Sequence, residues 1–367
     1  MTGFICICKL FAPMIIIIII NSELCAAKCR SFNNVLVGLK DRYGFAYNST
    51  VNGCIERIGF GDREIEEVHI RNQKIPKLGT DSVRNMGRLK LLSFLECDLE
   101  TVQPDAFRNV PRLKQVQVSF CNLTKIQKGV FYPIKNLEIL KLDHNQITII
   151  EPETFANLSV LRRIYFNNNN LTEWRREWFD KSYIRLETMD FQRNKIRSIP
   201  PKAFANMKKL KQINFDYNEI DSIGSGAFEG LSDLDHLRLK HNRLKIIKED
   251  AFPTQIRIRN LIISANLLNF LPKKTYTKLS VEELLIDYNP WKCACYDSLV
   301  QWMYATNVTL IKAKHCDMSS VPVCAFPQKQ SRVQDCEEDI DEELTKRFIG
   351  ILRNLPTPLR EYCAQLD

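Results

Sequence analysis

The sequence predicts an α/β solenoid, a horseshoe of stacked short repeats with a parallel β-sheet on its concave side. Disulfide caps close both ends, and a short C-terminal helix follows. Three observations predict this. Apolar residues return about every 24 positions from residue 65 to residue 288. Most of the thirteen cysteines lie outside that period, toward either end. One amphipathic segment follows Cys336. Composition agrees: 45% hydrophobic and 26% charged residues suit a folded chain and exclude disorder or a collagen-like fibre. The 52 basic and 43 acidic residues leave +9 with no long Lys/Arg run, which argues against nucleic acid as a partner.

In chain order, Lys9 precedes an apolar run from Leu10 to Ile20, followed by polar and small residues. This is the order of a secretory signal peptide, and the run is short for a membrane span. Cys25 and Ala27 fit the small-residue rule, so cleavage is expected after Ala27 and residues 1–27 are read as the signal; an uncleaved anchor is the alternative. Cleavage removes Cys6, Cys8 and Cys25 and leaves ten cysteines, an even number suited to a disulfide framework. No later segment approaches 18 apolar residues, so the mature chain is expected to be secreted, extracellular and without a membrane span. Residues 28–64 lack the repeat and are the expected N-terminal cap, closed by a disulfide between Cys29 and Cys54.

From 65 to 288 the pattern L-x-x-L-x-L-x-x-N-x-L begins at Ile65, Leu89, Leu113, Leu137, Leu161, Leu186, Leu210, Leu234, Ile258 and Val281. The steps are 24, 24, 24, 24, 25, 24, 24, 24 and 23 residues, the leucine-rich repeat signature. In the unit 137–160, Leu137, Leu140 and Leu142 point inward from a strand, and Asn145 can bond backbone groups that the following turn leaves unpaired. Asn169, Asn194, Asn218, Asn242, Asn266 and Asn289 repeat that role, and Phe107, Phe131, Phe155, Phe179, Phe204, Phe228 and Phe252 fill the convex side. No unit buries its apolar face alone, but a stack makes a continuous core. Cys97 and Cys121 take the asparagine position in adjacent repeats; strand spacing puts them within disulfide range, and two buried thiols are the preferred reading.

The run NPWKCACYDSLVQW at 289–302, followed by Cys316, Cys324 and Cys336, resembles the C-terminal cysteine cap of secreted extracellular leucine-rich repeat proteins of the typical subclass. The resemblance implies pairs Cys293–Cys316 and Cys295–Cys336 within a cap at 289–336. That leaves Cys324 and Cys363, either bonded to each other or open to a partner chain in a homo- or hetero-oligomer. Zinc fits the cysteine spacing alone, but the oxidising compartment and the Asn-Pro-Trp lead-in argue against it. In residues 337–367, Ile340, Leu344, Phe348, Ile351 and Leu355 share one helical face, acidic residues gather at the start, and Pro356 ends the helix. Packing on the cap is expected of that face, with docking on a partner as the alternative. Four turns are too few for a coiled coil. With no long heptad region after the cap, the chain is similar to the short, coil-less leucine-rich immune proteins of insects.

No H-E-x-x-H, G-x-S-x-G or P-loop is present, so no enzyme, metal or cofactor is expected. The variable strand positions instead project from the concave face. They offer Arg162, Arg163 and Tyr165, then Gln192 and Arg193, then Asp216 and Tyr217, then His236, Arg238, Lys240 and His241, with Phe120 and Tyr288 as further exposed aromatics. Such mixed Arg, Tyr and His surfaces resemble protein-binding hot spots. His236 and His241 stand at opposite ends of one strand and would not share an ion; a pH-responsive contact is a second reading of these imidazoles. The sequons at Asn48, Asn122, Asn157, Asn170 and Asn307 avoid the concave positions. The expectation is a non-enzymatic protein that binds a protein or microbial-surface ligand in innate immunity. The alternatives are a matrix or developmental adhesion protein and a glycosaminoglycan binder driven by the +9 charge.

Overall fold

A computed structural model describes residues 31–179, 185–312, 323–327 and 335–354. The signal segment, Cys29, Cys316, Leu355 and Cys363 lie outside the described residues. The core feature is one 13-stranded sheet in which spatial order follows chain order, except that the first two strands are exchanged at the edge. Strand β1 (Phe32–Asp41) pairs antiparallel with β2 (Ala46–Gly53), the outermost strand, and antiparallel with β3 (Ile65–Arg71). The N-terminal cap is thus a hairpin that continues the concave sheet and covers its first apolar edge. Cys54 is disulfide-bonded.

From β3 onward all pairing is parallel, through β4 (Leu91–Leu95), β5 (Gln115–Ser119), β6 (Ile139–Lys141), β7 (Arg163–Tyr165), β8 (Thr188–Asp190), β9 (Gln212–Asn214), β10 (Asp233–Arg238), β11 (Ile256–Ile262), β12 (Leu279–Leu285) and β13 (Thr309–Leu310). The register repeats the sequence period: Leu140 faces Ile164, 24 positions on, and Ile164 faces Met189, 25 on. The extra residue is therefore absorbed outside the strand. It must be, since a one-residue slip would turn every leucine outward. Leu140, Ile164, Met189, Ile213 and Leu237 are all buried. On the convex side the phenylalanines are buried and stack in sequence, Phe204 on Phe228 at 5.5 Å and Phe228 on Phe252 at 4.9 Å.

The buried asparagines tie neighbouring repeats together. Asn218 donates from Nδ2 to the carbonyls of Phe215 (3.1 Å) and, one repeat back, Phe191 (3.0 Å), and its Oδ1 accepts from the amide of Ile196 (3.0 Å). Asn145, Asn169, Asn194, Asn242, Asn266 and Asn289 are buried as well. Cys97 and Cys121 are free, buried thiols at the same position, and Cys97 Sγ contacts the carbonyl of Leu95 at 3.5 Å.

The C-terminal cap departs from the pairing implied by resemblance. Cys293 bonds Cys324, not Cys316, while Cys295 bonds Cys336. The backbone dictates this. Ala325 bridges the chain beside Lys292, donating to the Trp291 carbonyl at 2.8 Å and accepting from the Cys293 amide at 3.2 Å. That places Cys324 with its Cα 4.9 Å from that of Cys293 at the head of α1 (Cys293–Thr306). Cys324 is consequently unavailable to Cys363 or to a partner chain.

Helix α2 (Glu342–Arg353) is capped by Asp341, whose side chain accepts from the Leu344 amide at 2.9 Å. Its buried face is Leu344, Thr345, Phe348 and Leu352, whereas Ile340 and Ile351 are each 41% exposed, so the expected apolar stripe is turned by part of a turn. The reason is its dock, which is the edge of the last repeats rather than the cap alone. Asn269 Nδ2 donates to Thr345 Oγ1 (3.1 Å), Asn269 Oδ1 accepts from the Asp341 amide (2.7 Å), and Lys245 pairs with Glu342 (2.6 Å). No helix among the described residues is long and apolar enough to cross a membrane.

Candidate binding face

Strands β7 to β10 place the candidate residues side by side, because each parallel strand lies about 4.8 Å from the next. Arg162 and Arg163 are exposed at the head of β7; Arg162 forms a forked pair with Glu187 at 2.9 Å on both arms. Such a fork fixes the guanidinium more firmly than a single contact does. Tyr165 and His236 are half-buried, and Lys141 Nζ stands 5.7 Å from the Tyr165 ring.

The centre of the face is a polar network spanning three repeats. The Asp190 carboxylate accepts from the Gln192 amide (3.0 Å), and Gln192 Oε1 accepts from Asn214 Nδ2 (3.2 Å). Asp216 accepts from Arg238 Nε (2.8 Å) and from the Lys240 amide (2.7 Å). Asp216 is 0% exposed, so the carboxylate expected to meet a ligand instead holds Arg238 in place. Its burial pushes the Asp216 carboxyl above the usual carboxylate range against the pull of Arg238, and burial raises Asp190 likewise. Both groups therefore take up protons more readily folded than unfolded. Their stabilisation is full below the unfolded carboxylate range and is lost as pH rises through the folded values. Asp216→Asn removes one such titration. Thermal unfolding should show wild type gaining on the variant between about pH 7 and about pH 4; a constant or opposite difference would contradict the assignment.

At the strand ends a column of residues adopts the left-handed conformation, among them Arg193 (φ 54°), Tyr217 (57°) and His241 (52°). Each amide there donates to the next repeat, as Tyr217 does to the Lys240 carbonyl at 2.8 Å. Arg193 lies over the Tyr217 ring at 4.6 Å, and Tyr217 stacks on His241 at 4.4 Å. His241 is 7% exposed and Tyr288 4%, so both are walls rather than exposed ligand contacts. Burial, then Lys240 and Arg193, depress the His241 imidazole to about 3, which removes it as a switch near neutrality.

Two features were not legible in the sequence. One is this column, since nothing in the side chains announces a shared φ near +55°. The other is a second cluster, where Asp143 accepts from Ser119 Oγ (2.8 Å), meets His144 Nδ1 (3.0 Å), and His144 stacks on the 51% exposed Phe120 at 4.0 Å. The carboxylate, not the imidazole, touches the hydroxyl, and Ser119 is fully buried beneath it. Among the described residues no group of three or more His, Cys, Asp or Glu could hold a metal ion. Asn48, Asn122, Asn157 and Asn307 are exposed and Asn170 is half-buried.

Comparison with known proteins matches the family described as leucine rich repeat over residues 111–171 and 184–244. P-granule-associated novel protein 1 of Caenorhabditis elegans is 26% identical over 192 residues, covering 42% of this chain and 32% of its own. Mouse osteomodulin is 30% identical over 109 residues, covering 29% of this chain and 25% of its own. The chain thus spans a quarter to a third of the length of these relatives. The crystal structure of the mouse RP105/MD-1 complex contains a similar fold, with a TM-score of 0.55 at 21% identity over 66% of this chain and 42% of that one.

Proposed function

Because the chain is a leucine-rich repeat protein closed by a C-terminal cysteine cap, we propose that it is a secreted binding protein that recognises a protein or microbial-surface ligand through strands β7 to β10, in innate immunity. The observation that carries this reading is the fixing of Arg162, Arg238 and Tyr217 by Glu187, Asp216 and Arg193 while each keeps part of its surface open. Side chains already ordered lose less entropy on binding, so a rigid face of this kind gains affinity without rearranging. No bond is made or broken in this mechanism. The exposed sequons lie off these strands and leave the face free of glycans.

The test is capture of ligands from body fluid, and of bacterial and fungal cells, by wild type and by Arg163→Glu/Tyr165→Ala. The double variant should bind at least about tenfold more weakly with an unchanged melting temperature, while Lys208→Glu, exposed outside the strands, should match wild type. Equal capture by all three chains would refute the face. Induction of expression by microbial challenge would support the defence role, and constitutive deposition in matrix would favour adhesion instead.

A further inference from the structure

Along the edge where convex segments turn into strands, basic side chains are matched by acids nearby. Lys90 pairs with Glu66 (2.7 Å), Lys114 with Glu138 (2.7 Å) and Lys211 with Asp233 (2.5 Å). At the head of strands β3 to β5 this matching fails. Arg57, in the cap turn Arg57–Phe60, lines a cleft of about 430 Å³ together with Arg63, Arg88 and Arg112. Glu64 is the single carboxylate there, and it is already used, holding Arg42 at 2.5 Å and Arg88 at 3.4 Å. Arg57, Arg63 and Arg112 are exposed and have no carboxylate partner among the described residues.

The cleft is ordered all the same. Arg63 lies over the Tyr47 ring at 4.2 Å, and Arg88 rests on Glu64. A guanidinium stacked by its face keeps its N–H edge free for a forked contact with an oxyanion. Between the arginines, Asn109 Nδ2 donates to Asn85 Oδ1 at 3.0 Å. Both asparagines are exposed to the cleft, and Asn85 Nδ2 makes no hydrogen bond among the described residues. Ile65 and Met86, each 3% exposed, form an apolar floor. At Gly87 the space stands open, since a Cβ there would meet nothing within 4 Å.

We propose that this cleft binds an anionic saccharide, its sulfate or phosphate groups met by Arg57, Arg63 and Arg112 and its hydroxyls by the amides of Asn85 and Asn109. Four guanidiniums against one occupied carboxylate select an anion. The amides and the apolar floor between them select a sugar, which carries hydroxyls on its rim and C–H groups on its faces, over a run of carboxylates. The volume falls in the range of about 300–1,000 Å³ that holds a small ligand. A sulfated matrix glycan and a phosphorylated microbial glycan offer the same groups. The cleft shares no residue with strands β7 to β10, so this reading and that of the concave face stand or fall apart.

The experiment titrates the full secreted chain by calorimetry, at physiological ionic strength, with a heparin-derived tetrasaccharide, mannopentaose phosphate, uncharged maltotetraose and hexaglutamate. Saturable binding of the first identifies a sulfated source, and of the second a phosphorylated one. Arg57→Glu/Arg112→Glu should weaken binding at least about tenfold with an unchanged melting temperature. Lys208→Glu/Lys209→Glu, exposed in a distant repeat, makes the same change in net charge and should bind within about twofold of wild type. Gly87→Glu, which places a carboxylate in the open space, should weaken binding at least about fivefold. Arg163→Glu/Tyr165→Ala should leave saccharide binding intact even where it abolishes capture by the face. The assignment is overturned if neither anionic saccharide saturates by about 5 mM, or if maltotetraose or hexaglutamate binds as tightly as they do. It is overturned equally if the cleft variants bind like wild type or lose no more than Lys208→Glu/Lys209→Glu, which would leave bulk charge as the whole effect.

Discussion

Replacing Asn218 with alanine is expected to destabilise the solenoid by about 4 kcal/mol, among the largest effects of any single substitution in the repeats. The amide of Asn218 satisfies the carbonyls of Phe191 and Phe215 and the amide of Ile196, all inside the stack and out of reach of water. Alanine leaves the Ile196 amide buried and unpaired, at a cost of about 1–3 kcal/mol, and removes one of two donors from each carbonyl at about 1 kcal/mol apiece, since Phe191 keeps Asn194 (3.0 Å) and Phe215 keeps Asn242 (2.9 Å). Asn218→Cys should lose roughly half as much, because a thiol donates to the turn as Cys97 does to the Leu95 carbonyl but supplies only a weak acceptor to the neighbouring repeat. Chemical denaturation followed by circular dichroism measures both. Equal midpoints for wild type and Asn218→Ala would show that the ladder is dispensable.

The second large effect concerns the cap. Converting Cys293 and Cys324 together to alanine is expected to cost about 3–4 kcal/mol, the loop-closure entropy of the 31-residue separation between them. Removing Cys295 and Cys336, 41 residues apart, should cost a similar amount. Both pairs close the cover over the last apolar repeat, where Trp291 is buried and its indole donates to the Ile286 carbonyl at 2.9 Å. Exposure of Trp291 should therefore accompany either loss and be visible as a red shift of tryptophan emission. The connectivity itself is checked by electron-transfer fragmentation of the unreduced protein, which must cut at Ala294 to separate the two bonds. A Cys293–Cys316 link in that spectrum would contradict the fold of the cap.

The regular part of the molecule was legible because its physics is local and repeated. A leucine returning every 24 residues can be buried only if the strands stack in register, and an asparagine at the bend has no better use than to bond the turn. The 25-residue step changed nothing, since the sheet keeps its register and the loop takes the insertion. The two thiols at positions 97 and 121 followed from the same logic.

Long-range choices were not legible. The five cysteines of the cap admit several pairings, and the strand bridge at Ala325, invisible in spacing, selects Cys324 for Cys293. The helical stripe after Cys336 was correctly placed along the chain but wrongly phased, because its contacts with Asn269 and Lys245 set its rotation. Asp216 and His241 looked like surface in the repeat pattern, yet the neighbouring strands and rings bury both. The sequence by itself determined the solenoid, its period, its ladder and its inward face, since each repeats an interaction of neighbours in a fixed register. Only the tertiary structure decided which polar side chains remain open, which cysteines meet and where α2 docks, because those depend on contacts between segments that share no period.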